Sequence, residues 1–183
     1  TLTLPHYAGT TAKTTTYTYD IYGRVTTENT NGKTTTSTYS NKESNTTVAT
    51  TTPAGQKYTK IYNALGNLIS ASDNGGSISY SYHSSGQVER INANGLTTQF
   101  TYDSFGRQLS LTDPSAGKTE YTYTPTGKIK TQKDARGNLY TFNYDALGRI
   151  TTCTGPQENL TYAYTTTGGG KGQIASITNS HNK

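Results

Sequence analysis

The stretch FTYDSFGRQLSLTD, residues Phe100–Asp113, contains the pattern that decides the fold. Its centre, Tyr102-Asp103-Ser104-Phe105-Gly106-Arg107, has close copies that begin at Tyr19 and Tyr144, and weaker copies elsewhere. A tyrosine anchors every copy, and successive anchors lie 20, 23, 20, 20, 21, 21 and 20 residues apart. The anchors are Tyr19, Tyr39, Tyr62, Tyr82, Tyr102, Tyr123, Tyr144 and Tyr164. A fixed period of this length indicates a repeat architecture.

Each copy predicts a strand, a tight turn and a second strand. Aromatic residues separated by one position, such as Phe100 and Tyr102, lie on one face of a strand, and the surrounding threonines favour strands. In Asp-x-x-Gly, the carboxylate accepts backbone N–H groups and the glycine supplies a positive φ. Asn-Gly and similar pairs roughly ten residues later predict the return turn. We therefore predict an all-β fold, an antiparallel ribbon of consecutive β-hairpins with about sixteen short strands.

The predicted structural motif comprises the anchoring tyrosine, the turn residues and the residue after the turn glycine. Its members are Tyr19, Asp20, Gly23, Arg24, Tyr62, Gly66, Tyr82, Gly86, Tyr102, Asp103, Gly106, Arg107, Tyr123, Gly127, Tyr144, Asp145, Gly148 and Arg149. The aspartate and arginine of a copy either pair, within a repeat or between neighbours, or remain solvated. An exposed pair would add roughly 0–1 kcal/mol of stability.

The second strand of most units carries an aliphatic residue soon after the turn. These residues are Val25, Leu68, Val88, Leu109, Ile129, Ile150 and Ile174. The unit after Tyr39 lacks the turn glycine and is three residues longer than most, so we expect an irregular hairpin or a longer loop there. In the last unit, Gly168–Gly172 replaces the compact turn with a glycine-rich loop that we expect to be flexible.

The repeats are predicted to fill residues 17–177, with about eight units. Residues 1–16 form a leading partial strand or repeat, in which Leu2, Leu4 and Tyr7 alternate loosely, and residues 178–183 form a tail. Because the chain starts without methionine and in the middle of the pattern, we interpret it as part of a longer array. We find no stretch long enough to span a membrane and no signal peptide.

Composition limits the classes of function. Charged residues make up 15% and the net charge is +5, so no strong electrostatic field is expected. Hydrophobic residues make up only 30%, which alone would allow disorder, but 16 tyrosines and 39 threonines in register favour a fold with a tyrosine-rich core. The single Cys153 excludes an intrachain disulfide, and we interpret it as a small buried side chain.

Catalytic and metal-binding groups are scarce. The three histidines, His6, His83 and His181, are scattered, and His83 takes the place of the turn aspartate in its repeat. No spacing suits a metal site or a Cys–His nucleophile, so we expect no enzyme activity, metal or cofactor. The Gly168–Gly172 loop is not followed by the Lys-Ser/Thr and helix of a phosphate-binding loop.

Four basic residues lie close together in sequence near Tyr123: Lys128, Lys130, Lys133 and Arg136. Aromatic stacking in a basic groove is a real mode of nucleic-acid binding. The residues form one local cluster rather than a stripe along the repeats. We therefore predict no nucleic-acid partner.

The pattern Tyr-Asp-x-x-Gly-Arg-(Val/Leu/Ile), with a period near 20 residues, resembles the YD-repeat (Rhs) family. The complete pattern is present at Tyr19–Val25 and Tyr144–Ile150, and Tyr102–Leu109 has one extra residue before the aliphatic. Choline-type cell-wall-binding repeats have a similar length but rely on tryptophan, which this chain lacks. Asp113-Pro114 superficially resembles a self-cleavage motif of the toxin members, but it lies at a predicted return turn.

The resemblance implies a large secreted or cell-surface protein, as in bacterial Rhs proteins, the C subunits of insecticidal toxin complexes and animal teneurins. In these proteins the repeats form a β-ribbon that spirals into a hollow shell, and in the toxin members the shell encloses a toxic domain. We therefore expect a curved strip of a larger β-shell, a non-enzymatic structural module. Its expected partners are the flanking repeats and enclosed domain of the parent protein, and the isolated chain is expected to self-associate.

A second function is consistent with the sequence. Rows of tyrosines surrounded by Thr, Asn and Gln suit carbohydrate recognition, because rings stack on sugar faces and amides bind hydroxyl groups. The alternative to the shell is therefore a cell-surface adhesion module that binds carbohydrate through exposed tyrosines. The competing interpretation is that these tyrosines form the packed face of the ribbon.

Overall fold

The computed structural model describes residues 2–3 and 14–181, and within these ranges all regular secondary structure is β-strand. The strands are β1 (Leu2–Thr3), β2 (Thr14–Tyr19), β3 (Val25–Thr30), β4 (Lys33–Lys42), β5 (Asn45–Thr51), β6 (Lys57–Tyr62), β7 (Leu68–Asp73), β8 (Gly76–Tyr82), β9 (Val88–Ala93), β10 (Leu96–Tyr102), β11 (Gln108–Asp113), β12 (Gly117–Tyr123), β13 (Ile129–Lys133), β14 (Leu139–Tyr144), β15 (Ile150–Thr154), β16 (Glu158–Tyr164) and β17 (Ile174–His181). The predicted all-β class is confirmed. Leu4, His6 and Tyr7 fall outside the described residues.

The chain divides into two compact units. The first comprises Thr1–Ser81 with Ile91–Leu96, and the second comprises Tyr82–Arg90 with Thr97–Lys183. In the first unit, strands β2 to β8 each pair antiparallel with the next strand in the chain. In the second unit, strands β10 to β17 do the same. The predicted ribbon of consecutive antiparallel hairpins is thus confirmed in each unit.

The register separates the side chains of each sheet into two faces. Directly paired residues project from the same face, and alternate residues of a strand project from opposite faces. In the second unit, one row runs Phe100–Leu111–Thr119 across three strands, and we call this face the aromatic face. Another row runs Thr122–Thr131–Thr141–Thr154 across four strands, and we call this face the hydroxyl face. The aromatic pairs of the repeat therefore collect on one side of the sheet.

The sheets have no hydrophobic core of their own. No apolar side chain among the described residues is buried, and the two buried residues are Thr15 and Ser110, each 7% exposed. The hydroxyl of Thr15 bonds that of Thr30 at 2.9 Å, and Ser110 bonds Thr101 at 2.7 Å. The predicted tyrosine-rich core is wrong for the described residues, because none of their apolar side chains is buried.

The unit after Tyr39 is a regular hairpin, not the irregular hairpin or long loop that we expected. Strands β4 and β5 pair without interruption from Thr36–Thr51 to Lys42–Asn45. Glu43 and Ser44 connect them with φ values of 50° and 66°. A two-residue turn in which both residues have a left-handed backbone conformation matches the twist of the flanking strands. Because the unit lacks a turn glycine, its strands continue past the position of the usual turn, and the chain reverses direction at Glu43 and Ser44.

The two ends of the repeat region also extend the sheet. β1 pairs with Thr14 and Thr15 of β2. β17 continues to His181 and pairs with β16 along its length, so residues 178–181 of the predicted tail belong to a strand. Between β16 and β17, four backbone hydrogen bonds span the glycine-rich loop, including one from the Thr165 N–H to the Gln173 carbonyl at 2.9 Å.

Cys153 lies in β15 opposite Phe142 on the aromatic face. Its thiol is free and half-buried, not fully buried as we expected. Burial, followed by the charge of Glu158, raises the pKa of this thiol above its ordinary value of 9.0.

The turn glycines provide a test of the hairpin geometry. Gly106 and Gly148 have φ values of +80° and +75°. Replacing either with valine should lower the free energy of unfolding by about 1–3 kcal/mol, because a β-branched residue is strained in this region. Urea unfolding followed by circular dichroism measures the effect. Gly169→Val is the matched control, because Gly169 lies in a loop outside the left-handed region with open space around it. Unchanged midpoints in both turn variants would contradict the turn assignment.

Candidate functional site

The tight turns of the repeat share one backbone geometry. In the central copy, the Asp103 N–H donates to the Arg107 carbonyl at 2.9 Å, and the Gly106 N–H donates to the Asp103 carbonyl at 3.0 Å. The left-handed glycine closes a four-residue turn and returns the chain to the second strand. The turns at Asp20 and Asp145 have the same two hydrogen bonds.

The turn aspartate holds both the backbone and the arginine of its own repeat. Asp103 Oδ1 accepts the N–H groups of Phe105 and Arg107, each at 2.9 Å, and Oδ2 accepts Arg107 Nε at 2.7 Å. The same ion pair joins Asp20 to Arg24 and Asp145 to Arg149. The three aspartate side chains are 16% to 23% exposed. The sequence left open whether the aspartate and arginine pair within a repeat, between repeats or not at all. In the structure they pair within each of the three complete repeats, and the aspartates are partly shielded from water.

Other residues replace the aspartate without changing the turn. Asn63 Oδ1 accepts the N–H groups of Leu65 and Asn67 at 3.0 and 2.9 Å. At His83 the side-chain bond is longer, 3.4 Å from the Ser85 N–H to Nδ1, although the backbone bonds of the turn are present. A side-chain acceptor therefore assists the turn, and the backbone and glycine define it.

Two turns of this kind were not identified as such from the sequence. They begin at Thr52 and Asp134, and both have the two backbone bonds that define the repeat turn. Asp134 Oδ1 also accepts the N–H groups of Arg136 and Asn138 at 2.9 Å. Both lie on the return side of a repeat, where no tyrosine precedes them. The sequence pattern that could have identified both turns is an oxygen-bearing side chain three positions before a glycine.

A β-bulge follows most of the tight turns. In the central hairpin, Thr101 pairs with Ser110 but Tyr102 pairs with Gln108, so that Leu109 is the extra residue. The first copy has the same irregularity, in which Thr26 is skipped. Leu109 therefore lies one position into the second strand, after Gln108, and its side chain is 39% exposed.

The anchoring tyrosines connect successive repeats through their hydroxyl groups. The Tyr123 O–H donates to the backbone carbonyl of Gln108 at 2.6 Å, across the intervening hairpin. Four other tyrosines donate in the same way to the residue that begins the second strand of the preceding repeat: Tyr39 to Val25, Tyr102 to Val88, Tyr144 to Ile129 and Tyr164 to Ile150. Because the acceptor is a main-chain oxygen, glutamine at position 108 serves as well as an aliphatic residue.

The arginine of each complete turn covers the ring of the next anchoring tyrosine. The guanidinium carbon lies 4.3 Å from the Tyr39 ring centroid for Arg24, 4.8 Å from Tyr123 for Arg107 and 4.1 Å from Tyr164 for Arg149. A cation over an aromatic face is attracted by the ring quadrupole. We call the aspartate and arginine of one turn, together with the tyrosine of the next repeat, the repeat clasp.

The chain matches one known family of repeat proteins. The family model Teneurin YD-shell matches residues 71–177. The chain belongs to the Teneurin YD-shell family. The predicted YD-repeat membership is thus confirmed, and the repeat clasp is the arrangement that the YD pattern encodes in this chain. A comparison with the curated proteins finds no match.

Solved structures share the fold of this YD-shell chain. The crystal structure of TcdB2-TccC3-TEV aligns with a TM-score of 0.53 and 15% identity, over 90% of this chain and 11% of that chain. The crystal structure of TcdB2-TccC3-Cdc42 aligns with a TM-score of 0.53 and 18% identity, over 93% of this chain and 9% of that chain. At this identity the likeness shows the fold alone, and the chain spans about a tenth of the length of those chains.

The clasp also sets the electrostatics of the YD-shell turns. The hydrogen bond from the Arg149 side chain, then those from backbone N–H groups, hold the pKa of Asp145 below its ordinary value of 3.8. At Asp103, burial alone would raise the pKa, but the Arg107 hydrogen bonds outweigh it and the pKa is lowered. Burial raises the pKa of Tyr123 above 10.0. Asp103 and Asp145 therefore stay ionised, and Tyr123 stays protonated, at neutral pH.

Side chains that commonly bind metal ions do not cluster in the described part of the chain. No three His, Cys, Asp or Glu side chains within residues 2–3 and 14–181 are grouped so as to hold a metal ion. Those ranges also contain no helix with the length and apolarity needed to cross a bilayer. The organised side chains of this YD-shell chain are those of the clasps.

The contribution of the tyrosine hydroxyl to stability can be tested by replacing the tyrosine with phenylalanine. Tyr123→Phe should lower the free energy of unfolding by about 0.5–1.5 kcal/mol, because the Gln108 carbonyl loses its donor. Tyr121→Phe is the control, since Tyr121 lies on the same strand and its hydroxyl has no hydrogen bond within the described residues. Urea unfolding of both variants gives the comparison. Equal losses in the two variants would show that the hydroxyl does not connect the repeats.

The Asp–Arg pair predicts a specific pH dependence. Because the folded-state pKa of Asp145 lies below 3.8, its contribution to stability is present above that pH and is lost as the pH falls through the folded-state value. Asp145→Asn keeps the turn acceptor, as Asn63 does, but removes the charge. The variant should unfold at lower urea than wild type at pH 7 and at the same urea concentration at pH 2. A difference that persists at pH 2 would refute the electrostatic explanation.

Proposed function

We propose that this chain is a non-enzymatic module in the β-shell of a large secreted or cell-surface Rhs-like protein, and that the shell encapsulates or presents another polypeptide, such as a toxin. The observation that carries the proposal is a YD-shell sheet that buries no apolar side chain of its own within the described residues. A sheet of this kind requires further protein layers or neighbouring repeats to cover its aromatic face.

The role of the module is geometric. Each clasp joins the turn of one repeat to the tyrosine of the next, and so fixes the offset between successive hairpins. For Arg107 and Tyr123, the ring contact and the hydroxyl bond act between the same two repeats, and the ion pair with Asp103 holds Arg107 within its own repeat. Repetition of a constant offset builds an extended wall. Such a wall encloses space without any catalytic group.

The carbohydrate alternative is less well supported. A tyrosine that binds sugar presents a free ring face, but Tyr39, Tyr123 and Tyr164 each have an arginine over the ring. Their hydroxyl groups are also bonded to the main chain. The anchoring tyrosines with a complete clasp are therefore committed to holding repeats together.

The isolated chain should self-associate. Apolar side chains project from several turn tips, with exposed fractions of 92% for Ile21, 84% for Leu65, 83% for Phe105 and 78% for Leu147. Unpaired strand edges and uncapped repeats add to this tendency. Light scattering should give a mass that rises with concentration, and a Phe105→Ser/Leu147→Ser variant should shift the rise to higher concentration. A constant monomeric mass would contradict the prediction.

The shell proposal is tested on the natural protein. An antibody raised against this chain should detect a band many times larger than 19.7 kDa in the source. Limited proteolysis of that purified protein, followed by mass spectrometry, should leave an enclosed segment uncut until mild denaturant opens the shell. A band near 19.7 kDa, or a protein in which all segments are cut at similar rates, would overturn the proposal.

A further inference from the structure

The hairpin between β12 and β13 departs from the clasp in two positions. Thr124 stands where the complete copies have aspartate, and Lys128 stands where they have arginine. The turn itself is unchanged: the Thr124 N–H donates to the Lys128 carbonyl at 2.7 Å, and Thr124 Oγ1 accepts the Lys128 N–H at 3.1 Å. The substitution therefore removes the carboxylate and keeps the cation.

This exchange leaves the positive charge of the hairpin without a carboxylate partner. Lys128 Nζ lies 5.5 Å from the Tyr144 ring centroid, in the place that arginine takes in other repeats. The extra residue of the following bulge is Lys130, which is exposed. Neither lysine forms an ion pair with a residue in the described ranges. One hairpin thus carries two unneutralised ammonium groups.

Both ammonium groups line an open cleft that combines charge with apolar surface. The cleft has a volume of 550 Å³ and lies between this hairpin and the next. Phe142, Tyr144 and Leu147 contribute its apolar surface, and Leu147 is 78% exposed. The one carboxylate in the lining, Asp145, is already paired with Arg149.

A cleft at another turn provides an internal comparison. The cleft beside Tyr22 has a similar volume, 520 Å³, and it also contains an aromatic side chain and a cation. Its cation is Arg24, and Asp20 lines the same cleft and neutralises that charge at 2.7 Å. Shape and apolar surface are therefore common to both turns, whereas free positive charge distinguishes the cleft at Lys128.

We propose that this cleft binds an acidic polypeptide segment in which an aspartate or glutamate adjoins an apolar residue. The carboxylate would meet Lys128 and Lys130, and the apolar side chain would cover Phe142 and Leu147. Two point charges suit a carboxylate, whereas nucleic acid requires a longer track of cations and free rings for stacking. The site lies within the second unit and is independent of the proposed shell function.

Fluorescence anisotropy with the whole 183-residue chain tests the site. The probe is a labelled hexapeptide of alternating aspartate and leucine, and the reference peptides replace every aspartate with asparagine or every leucine with serine. A single-stranded oligothymidine is the competing polyanion. The aspartate–leucine peptide should bind more tightly than either reference peptide and the oligonucleotide, and added salt should weaken it.

Three single substitutions and one double variant locate the binding. Thr124→Asp restores the carboxylate of the clasp without removing a lysine, and Lys130→Gln removes the second charge. Each should weaken binding by about two- to fivefold, and the double variant by about tenfold. Lys171→Gln, which removes one exposed charge elsewhere in the same unit, should leave affinity unchanged.

Four results would overturn the proposal. They are absence of binding by the aspartate–leucine peptide, equal binding of a reference peptide, tighter binding of the oligonucleotide, and an equal loss of affinity in Lys171→Gln. Circular dichroism and urea unfolding of each variant verify that the turn is intact. Thr124→Asp should fold at least as well as wild type, because it recreates the aspartate turn of Asp103 and Asp145.

Discussion

The structure depends on the hydroxyl of one tyrosine reaching the backbone carbonyl at the start of the preceding repeat's second strand. That bond, with the arginine that covers the same ring, joins successive hairpins in addition to the strand ladder that they share. A neutral hydrogen bond contributes about 0.5–1.5 kcal/mol and an exposed cation–π contact about 0.5–1 kcal/mol, so no single clasp dominates. Stability in such an array is a sum of repeat and neighbour contributions, and a small constant contact between neighbours therefore has a large total effect.

The lack of a core explains why the strands are rich in threonine. A single layer exposes both faces to solvent, so side chains must stabilise strands without adding large apolar area. Threonine is β-branched, and its hydroxyl pairs with the residue opposite, as between Thr122 and Thr131 at 2.6 Å. The aromatic face remains partly exposed, and Tyr19, for example, is 58% exposed. The two faces thus meet water differently, and the aromatic face is the one that gains most from a covering layer.

Sequence periodicity predicted the hairpins because turn chemistry is local. Asp103, Gly106 and Arg107 act within five residues of one another, and their roles follow from residue type. The tyrosine bond was not predictable in the same way, since its acceptor is a main-chain carbonyl and no side chain marks it. The bulge at Leu109 was hidden for a similar reason: an extra residue changes register without changing composition. The hairpin beyond Tyr39 shows the opposite case, in which loss of the turn glycine lengthened the strands instead of disrupting them.

The turn at Thr124 shows how a repeat can change its chemistry and keep its fold. Two backbone bonds and a left-handed glycine define the turn, so the side chain at the aspartate position adds support but is not required. Replacing Asp with Thr and Arg with Lys therefore leaves the strands in register while the charge of the adjoining cleft changes. The hydroxyl bond from Tyr144 to the Ile129 carbonyl is retained at this turn, so a contact between the repeats persists while the turn surface changes. An array built on main-chain contacts can thus vary its turn edge from repeat to repeat, and that edge is where recognition can differ along an otherwise uniform wall.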